Sequence, residues 1–320
     1  MLVNQTTFST IEYSHAPRWN SLTFSLINVT LGGLSILTNV IILVFIACDR
    51  KLRHISSNTA LSSLLIVGAA FGVYLITCYG WFFSHTTYRY PSCAIFIVLS
   101  QSLMLNYNLH MILISADKYL RVAYPIRYPY LITTKKLTVA IILLWILAFT
   151  VVGSIYANIL SDQICFIHRS ANTAVLATFL LVIIIFLPLL CIIILYIAIM
   201  CLVYSRAKLV ITIMPHVKQA NLKRNKKAIQ QMAIIIGIFS FCWLPYTISY
   251  MVQLGNPSFV SVDILNTLKV LLYAHITINP IIYYFYTLSL RREGGRIWRR
   301  SIRRVRIISR VKPTKVQSIK

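Results

Sequence analysis

Six stretches of this chain run for a bilayer's thickness or more without a single Lys, Arg, Asp or Glu: 19–48, 54–88, 90–116, 137–161, 170–205 and 228–262. A seventh, 264–290, is interrupted only by Lys269. A helix needs roughly 20 apolar residues to cross the hydrocarbon core. Backbone groups in lipid must be bonded within their own segment or in a closed barrel, and runs this long suit helices rather than tilted strands. The expectation is an all-α membrane protein, a seven-transmembrane helix bundle. Only 12% of the chain is charged, against about a quarter in a soluble domain. The predicted organisation is an outer tail over 1–20, the bundle over 21–290 and a basic tail over 291–320.

The net charge of +25 suggests nucleic acid at first sight. Its distribution points elsewhere. An odd number of spans puts the two ends on opposite sides. One side carries only Arg18, Arg89 and Arg169, while 27 of the 31 Lys and Arg fall in the loops and tail of the other. Basic residues favour the cytoplasmic side. The N-terminus is therefore expected outside and the tail inside, against an anionic inner leaflet worth roughly 1 kcal/mol per basic residue near the surface. No nucleic-acid partner is expected. The first residues hold no basic stretch followed by a short apolar core, so the first span is expected to direct its own insertion.

The tail "SLRREGGRIWRRSIRRVRIISR" sets Ile297/Trp298, Ile302, Val305 and Ile308 at helical spacing among arginines. This reads as a basic cytoplasmic C-terminal helix on the inner leaflet, broken at Gly294-Gly295 from the segment after the seventh span. Asn4-Gln5-Thr6 is a glycosylation acceptor pattern in the outer tail. Asn28-Val29-Thr30 matches the same pattern but falls within the first apolar run, where burial is expected. Pro188, Pro245 and Pro280 sit inside spans, and each frees a carbonyl one turn earlier and kinks its helix. No repeat links the first and last three spans, which argues against a transporter built from inverted repeats. No phosphate loop, metal-ligand cluster or nucleophile–base–acid set is visible, so neither enzyme chemistry nor a cofactor is expected.

Several local patterns recur together: Asn39 in "GGLSILTNVIILVF", Trp145 in the fourth span, "FSFCWLPY" in the sixth and "NPIIYYF" in the seventh. Cys93 lies 24 residues before Asp117 in "DKYLRVAYPIRYP", and Pro188 is followed eight residues later by Tyr196. In combination they resemble the rhodopsin-like (class A) G-protein-coupled receptors over all seven spans. The resemblance implies a receptor that couples an extracellular ligand to a heterotrimeric G protein. It implies that Trp243 sits beneath the ligand and couples to movement about Pro245. Asn279, Pro280 and Tyr283 would form the switch of the seventh helix, with Tyr196 and Tyr283 approaching through water when the inner side opens. Ligand-facing positions would be Ser100, Gln101, Met104, Tyr246, Thr247, Tyr250, Lys269 and Tyr273. It supports a Cys93–Cys165 disulfide, with Cys78 as rival partner and fully reduced cysteines as the alternative.

Departures from the family pattern are equally specific. The acid of the second helix falls on Gly68, and the small hydroxyl residue of the third falls on Tyr107. A sodium ion prefers hard, anionic oxygen ligands, so the usual sodium site is not expected. Tyr107 and His275 are expected to fill the space with a neutral hydrogen bond. Ser100 stands where amine receptors carry an aspartate. Opsins carry their retinal lysine at the position of Tyr273, one turn below Lys269. A lysine within a span is a candidate functional residue, since burial costs at least a few kcal/mol. Lys269 suggests an anionic ligand, while snorkelling to the headgroups or pairing with Asp263 are the structural readings. At the inner end, Asp117, Lys118 and Tyr119 occupy the place of the family's Asp-Arg-Tyr. The resemblance implies a resting lock between positions 118 and 117. Lysine lacks arginine's planar fork of donors, and Asn225 stands near where a second acid would hold it. Raised basal activity or weakened coupling is expected. The alternative functions are a retinal-type photoreceptor, a seven-helix transporter or channel with Asn106, Asn108, His110 and His275 along its path, and a receptor that binds without coupling.

Overall fold

The structure, a computed structural model, describes residues 21–53, 55–84, 92–157, 175, 178–213, 218–256, 258–287, 290–296, 299 and 302. Asn4 and Cys165 lie outside the described residues, as does the side chain of Cys93, so the glycosylation and disulfide expectations are not addressed. Seven long helices run in the expected order: α1 Ser21–Cys48, α2 Ser56–Ser84, α3 Ser92–Ala123, α4 Thr134–Ala157, α5 Leu187–Ile213, α6 Lys218–Gly255 and α7 Val262–Tyr286. Single turns at Arg50–Arg53 and Tyr128–Leu131 cross the loops after α1 and α3. No strand occurs among the described residues.

Six of the helices are long and apolar enough to cross a bilayer on composition alone. α7 is equally long, but Asn266, Lys269, His275 and Asn279 make it less apolar. Those polar side chains are not spread evenly. Leu265, Leu272, Ile276, Asn279 and Tyr283 are buried, while Ile264, Thr267, Ile278, Ile281 and Phe285 are exposed. The buried set recurs every three to four residues, which makes one face of a helix. α7 therefore turns its polar groups inward and Ile264, Ile278 and Ile281 toward lipid, as intramembrane polar residues generally do.

A close backbone approach joins α1 to α2. A Cβ on Gly32 would meet the Gly72 carbonyl oxygen at 2.7 Å, and one on Gly72 would meet that of Gly32 at the same distance. Small residues let membrane helices approach this far and gain van der Waals contact where no hydrophobic drive exists between them. Asn28 is fully buried in α1, and its Nδ2 donates to the Phe24 carbonyl at 2.8 Å. This agrees with reading its glycosylation pattern as buried.

Helix α5 opens with a π-helical turn, Val182–Phe186, just before Pro188. A π turn inserts one residue and displaces backbone carbonyls from the regular ladder. Asn108 of α3 meets one of them: its Nδ2 donates to the Ile184 carbonyl at 2.7 Å, fully buried. After α7, residues 290–296 are helical through Gly294-Gly295. The expected break is not there. Leu290 is fully buried, and Gly294 lies so close to Tyr284 that a Cβ would stand 2.8 Å from its ring. The glycine serves close approach to α7 rather than interruption. Glu293 and Arg296 pair along this turn.

Candidate functional site

The bundle interior holds three polar groupings stacked from the end where α6 meets α7, expected to be the outer one, to the Asp117 end, expected to be the inner one. The outermost is formed by α2, α3, α6 and α7. Tyr246 and Tyr250 stack with ring centroids 5.8 Å apart. Tyr79 hydrogen-bonds Tyr273 and lies within electrostatic reach of Lys269. Phe71 meets Tyr273 edge-on at 5.2 Å. Met104 is buried and Gln101 half-buried on the neighbouring face of α3. Two of the anticipated ligand-facing hydroxyls are committed to their own helices. Ser100 Oγ donates to the Ile97 carbonyl at 2.9 Å, and Thr247 Oγ1 donates to the Trp243 carbonyl at 2.8 Å. Lys269 forms no salt bridge with Asp263.

Below this lies the centre. Trp243 is fully buried, stacks on Phe239 with centroids 5.1 Å apart, and donates from Nε1 to His275 Nδ1 at 3.3 Å. An accepting Nδ1 places the proton of the neutral ring on Nε2. Asn279 Nδ2 donates to Tyr107 Oη at 2.7 Å and approaches Met111 Sδ at 3.2 Å. Tyr107 and His275 touch through their ring edges, centroids 5.8 Å apart. The expected hydrogen bond between those two is therefore replaced: each takes a different partner. Spacing along α3 and α7 gives a residue's depth but not its rotamer, and Asn279 sits nearer the Tyr107 hydroxyl.

Gly68 completes the centre. The space a side chain would use there is filled by Asn39, whose Oδ1 lies 2.4 Å from the ideal Cβ position. Asn39 Nδ2 donates to the Ser35 carbonyl at 2.8 Å, and Ser35 Oγ donates to the Gly68 carbonyl at 3.0 Å. These donors and acceptors are all neutral. They do not suit a sodium ion, which competes for them with full hydration and gains no anionic ligand. Equal melting temperatures in sodium and potassium chloride are expected, and a marked preference for sodium would contradict this. Tyr107→Phe removes the acceptor of a buried amide donor. It is expected to cost about 1 kcal/mol, seen as a lower melting temperature, with Met111 Sδ limiting the loss.

A separate tie joins α2, α3 and α4. His110 Nδ1 donates to the Asn106 carbonyl at 2.8 Å, so its Nε2 accepts from Ser63 Oγ at 2.8 Å. Trp145 Nε1 in turn donates to Ser63 Oγ at 3.3 Å. His110, Asn108 and His275 thus each make one side-chain bond to a neighbouring helix.

The inner grouping surrounds Asp117, which is buried. Its carboxylate accepts from Ser57 Oγ at 2.5 Å and from Tyr128 Oη at 2.5 Å, and pairs with Arg121 at 3.5 Å. Arg121 also donates to Tyr128 Oη at 2.9 Å and lies over its ring. Burial, and then the hydrogen bond to Asp117, push the Tyr128 phenol above its usual range. It stays protonated, and a donor, at neutral pH. Lys118 makes no salt bridge with Asp117. Its Nζ stands over the Tyr283 ring instead, 5.1 Å from the centroid. The lock implied for positions 117 and 118 is replaced by two separate contacts. Arg121 and Tyr128 were not singled out from sequence. Arg121 lies one helical turn after Asp117, a spacing that brings side chains together.

Tyr119 and Tyr196 pack against Ile199 and Val203 in a small cluster, whereas Tyr283 belongs to the main core. The two switch tyrosines are thus apart. Tyr283 Oη reaches Met111 Sδ at 3.8 Å. Pro245 and Pro280 sit inside α6 and α7. A cavity of about 540 Å³ opens beside Asp117's partners, walled by Ile55, Ser56, Arg121, Tyr128 and Thr133.

Seven long helices with inward polar groups, a buried tryptophan beside an aromatic chamber and a buried acid at the opposite end make a membrane-length helical bundle with a polar interior. Residues 38–283 match the family "7 transmembrane receptor (rhodopsin family)", and the chain belongs to that family. Among curated relatives, it is 24% identical to the histamine H2 receptor of Rattus norvegicus, over 82% of this chain and 75% of that receptor. It is 24% identical to the human alpha-1A adrenergic receptor over 81% and 64%, and 25% identical to the bovine adenosine receptor A2b over 83% and 86%. The family is one of receptors, not enzymes.

Proposed function

We propose that this receptor transmits the binding of an extracellular ligand to a heterotrimeric G protein in the cytosol. The observation that carries the reading is the position of Trp243. It closes the floor of the aromatic chamber and bonds α7 through His275. It also lies two residues before the proline of α6. A ligand pressing on the chamber changes contacts that both α6 and α7 share. An agonist that favours one arrangement of those helices shifts its population in proportion to the difference in affinity.

The proposed orientation, outer tail outside and basic tail inside, rests on the distribution of Lys and Arg. It puts the Asp117 cluster and the 540 Å³ cavity at the cytosolic face. The basic inner rim attracts acidic surfaces of a partner. Retaining the anionic-leaflet contact needs only the basic tail. Three of the four residues that a transporter reading would place along a path, Asn108, His110 and His275, instead tie one helix to another.

Nucleotide exchange on a panel of purified G proteins, with receptor in nanodiscs and mixed ligand libraries, tests the proposal. Acceleration over receptor-free discs for at least one G protein is expected. Well-folded receptor that accelerates none of them would leave a non-coupling receptor.

A further inference from the structure

We infer that the outer chamber receives an organic carboxylate, a monoanion with an aromatic or apolar body, and that Lys269 binds its charge. The inference names the ligand class of the receptor proposed above and rests on that reading. Lys269 falls on the inward face of α7. Leu265 and Leu272, one turn to either side, are both buried, and the lipid-facing series is Ile264, Thr267, Ile278 and Ile281. A lysine on that face does not snorkel outward along lipid-facing surface. It is half-buried, its field reaches the hydroxyl of Tyr79, and that hydroxyl hydrogen-bonds Tyr273. Among the described residues it has no salt bridge.

Among the described residues an ammonium in this position has no counter-charge, which leaves it suited to an anionic ligand. Asp263 does not supply it, although it lies on the same helix. Among the described residues Lys269 is the one Lys or Arg of the outer half, since every other one falls in the inner loops, inner helix ends or tail. One fixed positive charge matches one negative charge, which favours a carboxylate over a phosphate dianion. Because Tyr79 and Tyr273 hydrogen-bond each other, one of their two hydroxyl protons stays available to donate to a carboxylate oxygen. The stacked Tyr246 and Tyr250 rings give a flat apolar wall for the body of the ligand. Ser100, on the facing helix, is neutral and spends its hydroxyl on Ile97. Among the described residues the chamber thus offers an anion a partner in Lys269 and a cation no counter-ion.

Thermal stability of the purified receptor in nanodiscs tests this without any G protein. The probes are 3-phenylpropanoate and oleate, each set against its primary amide, with 3-phenylpropylamine as the cation. The acids are expected to raise the melting temperature, and the amides and the amine are not. Lys269→Gln is expected to weaken the acid effect about tenfold or more, as for a lost hydrogen bond to a charged group, and Lys269→Arg to keep most of it. Stabilisation by phenylpropanoate alone identifies an aqueous acid, and by oleate alone a lipid one; either supports the class. A stronger effect of the amine or the amides, no effect of either acid, or full retention in Lys269→Gln with an unchanged melting temperature overturns it. Because binding is read directly, acid binding without nucleotide exchange would sink the coupling proposal and leave the ligand class standing.

Discussion

Replacing Gly68 with aspartate is expected to abolish folding rather than to install the family's acid. Gly68 is buried, and Asn39 already occupies its side-chain space, with Oδ1, Cγ and Nδ2 at 2.4, 2.7 and 2.8 Å from the Cβ position. Asn39 is not at liberty to swing away, because its amide bonds the Ser35 carbonyl at 2.8 Å. Moving it also disturbs Ser35, which ties α1 to the Gly68 carbonyl. The carboxylate would then be buried among neutral partners. An uncompensated buried charge costs about 3–5 kcal/mol, which is comparable to the whole stability of many proteins. Loss of the monodisperse receptor peak on size-exclusion chromatography is the expected readout. Gly68→Asp with Asn39→Ala removes the collision but not the charge, and should recover only part of the folded fraction. Full recovery would mean that sterics alone exclude the acid. A stable Gly68→Asp protein with new sodium dependence would show that Asn39 yields easily.

This pair also shows where reading the sequence succeeds and where it stops. The missing acid was legible, because the resemblance places the family's second-helix acid on Gly68. That Asn39 moves into the vacated space was not, since nothing in a linear spacing records where an amide points. The seven helices were legible from charge alone, including α7 despite Lys269 and His275. The burial of Lys269's face was not, because it needs the positions of all its neighbours. The mid-span polar residues were legible, but their partners were not. Asn108 and His110 look like a polar path in one dimension. In three dimensions Asn108 meets the carbonyl displaced by a π turn in α5, and His110 joins α2 and α4. A π turn leaves almost no trace in composition, so its partner could not be named. Tyr128 escaped notice for a related reason: it lies in a loop, eleven residues from the carboxylate it serves.

Removing the charge of Lys118 is expected to raise basal nucleotide exchange, and the Tyr283 ring is expected to matter as much as the lysine. Asp117 is saturated by Ser57, Tyr128 and Arg121. Lys118 is left to the face of Tyr283, at 5.1 Å. This contact links α3 to α7 while Tyr196 remains apart, with Tyr119. An ammonium over an aromatic ring is worth about 0.5–2 kcal/mol, the upper end applying when it is desolvated. That is roughly a 2- to 30-fold change in the ratio of two arrangements. Lys118→Met keeps the apolar stem and loses the charge. Tyr283→Leu loses the ring, and both should raise exchange within that range. Tyr283→Phe keeps the ring and should change little, since the hydroxyl makes only a long contact with Met111. Lys118→Arg keeps a cation that also stacks on rings. Its fork can additionally compete with Arg121 for Asp117, so it should shift exchange less than Lys118→Met. If the contact holds the resting arrangement, Lys118→Met and Tyr283→Leu combined should do no more than either alone, because they remove the same interaction. Additive effects, or a large effect of Tyr283→Phe, would move the source of restraint from the ring to the hydroxyl.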